Sequence, residues 1–345
     1  MTSYFSQGMK AKVSVAIAAL ALLIAPVQTA QAEQRFKISV DTAANHITNI
    51  SVKTFLEKLR KDTNGEVVGE LFESGSLFAA RDEARAIARG DLDMSVTVSV
   101  WLSALSPDIG LLDLPLFSGR PPSQVNALVD GPVGKLLTSR TEQKLGVVIP
   151  GRWFLLGFAS SFGARKDLKS FDDFKGTRVR VPGGAAFVAR YKALGGEGLS
   201  IPFPDVPLAL SQGTIDALLT TNETIRSAKL QESGVKSAFV DQVAVLYIIP
   251  MVSQSFWNKL GAKNQKIFAD AWESVVEGER AEALRRQDSA AADLAKAGVK
   301  YTQPDAKELQ AVNEKLNALL PELITSLKID PDVVKRAQAE LAKMK

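Results

Sequence analysis

The sequence predicts an α/β protein of two lobes, each a mixed sheet flanked by helices, with a long C-terminal helix bridging both. Three observations predict it. Residues 35–98 alternate β-α-β-α-β, residues 177–220 form a second α/β unit, and residues 263–297 are nearly free of helix breakers. Alternating strands and helices build sheets covered on both faces. A helix as long as the third stretch extends about 50 Å at 1.5 Å per residue, more than one lobe.

The elements follow in chain order. Lys10 and Lys12 precede an uncharged run over 13–26, and Ala30-Gln31-Ala32 supplies the small-x-small pattern read by signal peptidase. A secretory leader cleaved after Ala32 is therefore expected, and with it a periplasmic location. The run of about 14 residues falls short of the ~20 a spanning helix needs, which argues against an uncleaved anchor. A strand over 35–40 places Phe36, Ile38 and Val40 on one face. A helix over 47–61 turns Ile47, Ile50, Leu56 and Leu59 inward and stops at Asn64-Gly65. A strand over 66–72, a helix over 79–89 ended by Gly90, and a strand over 92–98 complete the first unit. The Pro- and Gly-bearing stretch 107–132 separates it from the second.

The second unit has a strand over 177–181 and a helix over 185–194 closed by Gly195-Gly196. A short helix follows, capped by Asp205, with Pro207 in its first turn and Gly213 at its end. A strand over 215–220 comes next, and 243–252 reads as a buried strand. Helices over 263–297, 309–327 and 331–344 form the tail. This gives lobe I as 33–156 plus about 247–280, and lobe II as 157–246 plus about 281–345.

Composition removes whole classes of function. The chain has no cysteine and a single histidine, His46. Disulfides, thiolate nucleophiles and Cys- or His-rich metal sites are excluded, and no metal or cofactor is expected. Lys plus Arg number 42 against 38 Asp plus Glu, interleaved along the chain, so no basic stripe points to nucleic acid. No Gly-x-Ser-x-Gly elbow, P-loop or dinucleotide fingerprint occurs. The enzyme alternative, a hydrolase or isomerase using the interlobe cleft, lacks a nucleophile with a base beside it. Asp172-Asp173 reads as a surface turn.

The most informative segment is Asp172-Asp173-Phe174-Lys175-Gly176-Thr177-Arg178-Val179-Arg180-Val181-Pro182. On a strand, Arg178 and Arg180 share one face and Val179 and Val181 the other. Ending that strand in Arg-Val-Pro-Gly-Gly sets a guanidinium near the carboxyl edge of a sheet, where open α/β sheets bind ligands. The planar fork of Arg grips a carboxylate with two parallel hydrogen bonds. The competing reading is two exposed arginines on an edge strand.

This block resembles the signature of TRAP-transporter solute-binding proteins, the DctP-type periplasmic receptors. Further stretches resemble the family in the same order: 70–77, 86–94, Leu112-Asp113-Leu114-Pro115-Leu116-Phe117, 208–217 and Phe256-Trp257-Asn258-Lys259-Leu260. The resemblance implies the two-lobed periplasmic binding protein fold and a non-enzymatic receptor. Such a receptor captures a small organic acid and delivers it, as a monomer, to membrane permease subunits. It implies that Arg180 salt-bridges the carboxylate and that Phe203 packs on the ligand. Thr220, with Thr221 and Asn222 beside it, takes the polar position. Ala43, Ala44 and His46, and Thr97 to Trp101, form the first-lobe wall. The same work in an ABC-type or TAXI-type importer is the nearer rival. Departures from the family pattern are specific. No arginine stands near Ala159 or Ser160, Glu73 stands where the family has Pro, and Thr220 replaces the usual Asn, so a second carboxylate or a heavily hydroxylated acid is less secure and a smaller or more apolar monoacid becomes plausible.

Other residues have plainer roles. A lone His at a helix start reads as a cap. Trp101 and Trp153 read as packing, Trp257 and Trp272 as core. Glu273, Glu277, Arg280 and Glu282 read as the solvated face of the long helix.

Overall fold

A computed structural model describes residues 33–344, so the expected leader and the expected cleavage after Ala32 lie outside the described residues. The first unit forms as β1 (Gln34–Ser39), α1 (Ile47–Asp62), β2 (Val67–Phe72), α2 (Ala80–Arg89) and β3 (Met94–Val98). Helices α3 (Pro122–Asp130) and α4 (Pro132–Leu145) and the short β4 (Val147–Val148) follow, then β5 (Phe154–Gly163). The second unit holds β6 (Arg178–Val181), α5 (Ala185–Ala193), β7 (Glu197–Ser200), α6 (Val206–Gln212), β8 (Ala217–Thr220) and α7 (Asn222–Ser227). The chain ends through β9 (Ser237–Ser253), α8 (Gln254–Lys296), β10 (Lys300–Thr302), α9 (Ala306–Asn317), α10 (Leu320–Ser326) and α11 (Pro331–Leu341).

The strands join in one mixed sheet of order β2-β1-β3-β9-β5-β8-β6-β7, with β4 and β10 also on β9. β1 runs parallel to β2 and β3, and β6 runs parallel to β7 and β8. These two parallel sets are the two halves. Antiparallel β9 and β5 run between them and are shared. Their pairing slips register between Leu155 and Gly157 and again between Ala159 and Ser161, where the paired strands bend. Gly157 sits at φ +125, and a Cβ there would lie 2.4 Å from Gln287 Nε2, so only glycine lets α8 approach this bend. Gln287 Nε2 donates to the Leu156 carbonyl (2.9 Å) and fastens the helix to it.

α8 begins at an Ser253 cap, whose Oγ accepts from Phe256 N–H at 3.2 Å. It is interrupted at Gly261, which adopts φ 69 and ψ 159. Beyond that kink it runs unbroken to Lys296. Its inward side carries Phe268 and Trp272, both fully buried against Phe55, and Trp272 stacks on Phe154 at 4.2 Å between ring centroids. Trp257 packs edge-on to Phe268 at 5.7 Å and is only partly buried.

Several expectations need correction. The stretch 107–132, read only as a separator of the two units, is itself structured. It folds into 3-10 turns over Pro107–Asp113 and Pro115–Phe117 and then α3, burying Ile109, Leu111, Leu114, Phe117 and Leu128. Prolines at the first positions of those turns start helices rather than break them. The tail after 320 was expected with the second lobe. α11 instead buries Val333, Val334, Ala337 and Leu341 in one cluster with Leu128, Val133 and Leu137 of α3 and α4, and Arg140 bridges Asp108 and Asp330. Asp205 precedes α6 without capping it through its side chain. Arg280, expected on a solvated face, is 5% exposed; its guanidinium holds both oxygens of Asp130 (2.6 and 2.9 Å) and the Trp153 carbonyl.

Candidate ligand-binding site

Parallel strands point their carboxyl ends the same way, and here both parallel sets end at one crevice between the halves. From the first half come Asp41 and Thr42, just beyond β1, and Val98 and Trp101 at the end of β3. From the second come Arg180 and Pro182 at the end of β6, Phe203 after β7, and Thr220 and Thr224 at the end of β8 and in α7. Leu156 of β5 and Leu246 of β9 complete the lining with two apolar side chains. The water-sized space left inside is only about 20 Å³. A ligand of several carbons therefore enters as the halves part.

Arg180 is the one cation of this lining and is 2% exposed. Its Nε donates to the Ile201 carbonyl at 2.9 Å, and its Nη1 reaches the Leu219 carbonyl at 3.4 Å. A guanidinium has five N–H donors, so three remain for the crevice, on the two terminal nitrogens that make a carboxylate fork. The carbonyl bonds hold the fork in place before a ligand arrives. Phe203 covers it, with its ring centroid 5.8 Å from Arg180 Cζ. Burial pulls the Arg180 pKa down to about 10, and the negative charge of Asp41 partly opposes that fall. At neutral pH the side chain stays cationic.

Arg178, two residues earlier on the same face, behaves differently. It is bound bidentately by Asp216 (3.0 and 2.7 Å) at the far end of the strand, and its side chain is 40% exposed.

The expected site residues divide. Arg180, Phe203, Thr220 and Trp101 meet in one crevice. Thr97, Asn222 and His46 are not among its lining. Thr97 is buried on β3, where the crevice receives Val98 instead, and Asn222 Oδ1 accepts from Tyr301 Oη at 2.8 Å. His46 caps α1, accepting from Thr48 N–H at 3.2 Å through Nδ1. Its Nε2 lies 3.5 Å from buried Glu223. Burial lowers the His46 pKa, so the contact is one of neutral imidazole with carboxylate. Glu223 also accepts from Ile47 N–H (3.1 Å) and from Arg286 of α8 (2.8 Å), tying α1, α7 and the spine together. Ala43 and Ala44 do not reach the crevice. Asp41, Thr42 and Thr224 do, and the sequence reading missed them.

A more open recess of about 380 Å³ lies beyond Trp101, between 100–113 and 183–186. Gly183 (φ +136) lines it, and a Cβ there would press 3.2 Å from the Trp101 ring. Its buried charge is an acid: Asp113, pushed up to about 8 by desolvation. Lys328 is its one cation. Size favours this recess, but the chemistry for an anion favours the smaller crevice with its preset guanidinium.

Two α/β halves joined by crossing strands, with a buried charged fork between them, define a two-lobed solute receptor. The comparison with known families is direct: residues 38–326 match bacterial extracellular solute-binding protein, family 7, and the chain belongs to that family. A solute-binding protein of Verminephrobacter eiseniae (strain EF01-2) is 26% identical over 271 residues, covering 79% of this chain and 80% of the relative. The 2,3-diketo-L-gulonate-binding periplasmic protein YiaO of Escherichia coli (strain K12) is 29% identical over 201 residues, 58% of this chain and 60% of that protein. The fold is shared with a TRAP periplasmic solute binding protein from Ralstonia eutropha H16, crystallised with (S)-2-acetolactate. That match has a TM-score of 0.83 and 22% identity and covers 90% of this chain and 99% of the other.

Proposed function

We propose that this protein is the periplasmic receptor of a TRAP-type secondary transporter, capturing a small organic acid on Arg180 and handing it to the membrane permease. The observation that supports the reading is the guanidinium itself: buried in the lining of the crevice and held by two backbone carbonyls, with three N–H donors beyond those two bonds. Such a group stays buried and under-satisfied until an anion arrives, which makes it a receptor for carboxylate rather than a strut. Phe203 excludes water and adds apolar area, while Thr220 and Thr224 offer hydroxyls. YiaO is named for binding 2,3-diketo-L-gulonate and the Ralstonia protein was crystallised with (S)-2-acetolactate, both in keeping with this chemistry. Among the described residues no helix is long and apolar enough to cross a membrane.

On this reading the solute is bound and released without chemistry. The lining of the crevice contains no His and no Lys; the imidazole behind it, His46, lies 3.4 Å from Thr224 Oγ1 and is engaged through Nδ1 as the cap of α1. A thermal-shift screen of organic acids followed by calorimetry on the hits tests the proposal. The expected result is stoichiometric binding, recovery of the acid unchanged, and at least a tenfold weakening in Arg180→Ala, equivalent to about 1.4 kcal/mol. Unaltered affinity in that variant overturns the site. A gene neighbourhood with an ATPase subunit, in place of one small and one large membrane component, overturns the transporter class.

A further inference from the structure

Arg180 does not face an empty wall. Asp41, immediately after β1, lines the same crevice from the other half and is 4% exposed. The two side chains sense each other's charge, yet among the described residues no ion pair within 4 Å joins them. Asp41 makes no side-chain hydrogen bond to another described residue; the one group that serves it is its own backbone N–H. Two opposite charges so deeply buried would close on each other if pairing were their purpose. Instead no pair within 4 Å forms, and both line the same crevice.

Behind Asp41 sits a second buried acid. Glu83 of α2 is fully buried, and Ser95 Oγ donates to its Oε2 at 2.7 Å. Desolvation, and then the charge of Asp41, push the Glu83 pKa up to about 8, while Asp41 rises to about 6. At neutral pH Glu83 therefore keeps its proton and Asp41 is the ionised member. An ionised carboxylate only accepts hydrogen bonds. The part of a ligand that lies against it must donate.

We infer that Asp41 determines specificity: with the carboxylate of the solute on Arg180, Asp41 takes a hydrogen bond from a hydroxyl or ammonium group of the same molecule, so that the preferred solutes are monocarboxylates bearing such a donor. The inference rests on the Arg180 reading above and narrows its substrate class. A dicarboxylate would set its second anion against the ionised Asp41 and is excluded by like charge. A plain alkanoate would leave Asp41 buried, ionised and without a partner, which is costly for the same reason that a site built to bond a hydroxyl rejects the analogue lacking it. Trp101, Leu156, Leu246 and Phe203 then surround the carbon skeleton.

The test uses the mature protein and matched probes on one skeleton: 3-methylbutanoate, its 2-hydroxy and 2-amino derivatives, and methylsuccinate. A second matched set on a straight four-carbon chain guards against a misfit of shape. Calorimetry is run on the wild type, Asp41→Asn, Asp41→Ala and Arg180→Ala. The expected result is a preference of at least about tenfold for a donor-bearing monoacid over both the plain acid and the diacid. Asp41→Ala should collapse that preference to within about threefold. The hydroxy and amino arms decide which donor is used, and Asp41→Asn, which loses charge but keeps a carbonyl acceptor, should harm the amino acid more than the hydroxy acid. Preference for the diacid, or a donor preference that survives in Asp41→Ala, overturns the inference while leaving Arg180 dependence intact. Binding that ignores Arg180 overturns the underlying site as well, and so does failure of every probe to bind.

Discussion

Removing the Glu223 carboxylate tests how the halves are tied to the spine. Its Oε1 accepts from both Ile47 N–H at 3.1 Å and Arg286 Nη1 at 2.8 Å, its Oε2 lies 3.5 Å from His46 Nε2, and the side chain is fully buried. Ile47 N–H is one of the helix-start donors that no intrahelical carbonyl satisfies. In Glu223→Ala that donor loses its acceptor inside the protein, while His46 Nε2 keeps Thr224 Oγ1 at 3.4 Å. Arg286 is 21% exposed on its side chain and keeps Glu282 at 3.0 Å and the Asn45 carbonyl at 3.0 Å, so its share is discounted for solvent. Each hydrogen bond to a charged group contributes roughly 1.5–3 kcal/mol, and with the Arg286 share reduced the total is about 3 kcal/mol. For a chain of this size, about 2 °C of Tm accompanies each kcal/mol, giving a fall of about 6 °C. Glu223→Gln, which keeps one acceptor, should fall by about half as much. Differential scanning calorimetry of the unliganded protein measures both. A Glu223→Ala variant melting within 1 °C of the wild type would refute the reasoning.

Three further outcomes are expected. Arg280→Ala leaves Asp130 with only the 3.4 Å contact to Arg152 and should lower Tm by about 6 °C or more, as breaking a buried pair costs about 3–5 kcal/mol; Arg285→Ala, on the exposed side of the same helix, should change it by less than 1 °C. Glu83 keeps its proton up to about pH 8 in the fold but ionises near its ordinary 4.5 when unfolded, so its contribution to stability is present below pH 4.5 and is lost as pH rises toward 8. Glu83→Gln should therefore melt higher than the wild type at pH 8, with the gap closing by pH 4.5; a constant gap in pH-dependent melts would contradict this. Phe203→Ala should weaken the best acid several-fold by admitting water around Arg180, while Phe203→Leu retains most of the affinity; equal affinities of all three proteins by calorimetry would remove Phe203 from the site.

How much of this was legible follows from where each signal lies. The first β-α-β-α-β unit could be read because its strands alternate and its helices stop at glycines: Gly90 adopts φ 78 directly after α2. β5 could not, because Phe154–Gly163 is buried on nearly all sides and has no alternation to show. β9 was legible only in its most apolar part. Arg180 was found from its place at a strand end before Pro182, and its geometry separates it from Arg178 through a partner, Asp216, that no local pattern reveals. Arg280 was misread because its partner Asp130 lies 150 residues away, and charged residues on a long helix look solvated until such a partner appears. Asp41 was missed for the same reason. Its meaning depends on Arg180 and Glu83, both brought to it only by the fold. One local signal did exist: a lone acid at the carboxyl end of the first strand, beside the alanines that were singled out.

The most direct test is a crystal structure of the protein with its tightest acid bound. The account predicts a ligand carboxylate about 2.9 Å from the terminal nitrogens of Arg180, beneath Phe203, with both halves closed around it. A carboxylate seated elsewhere, or a guanidinium turned out to bulk water, would contradict it.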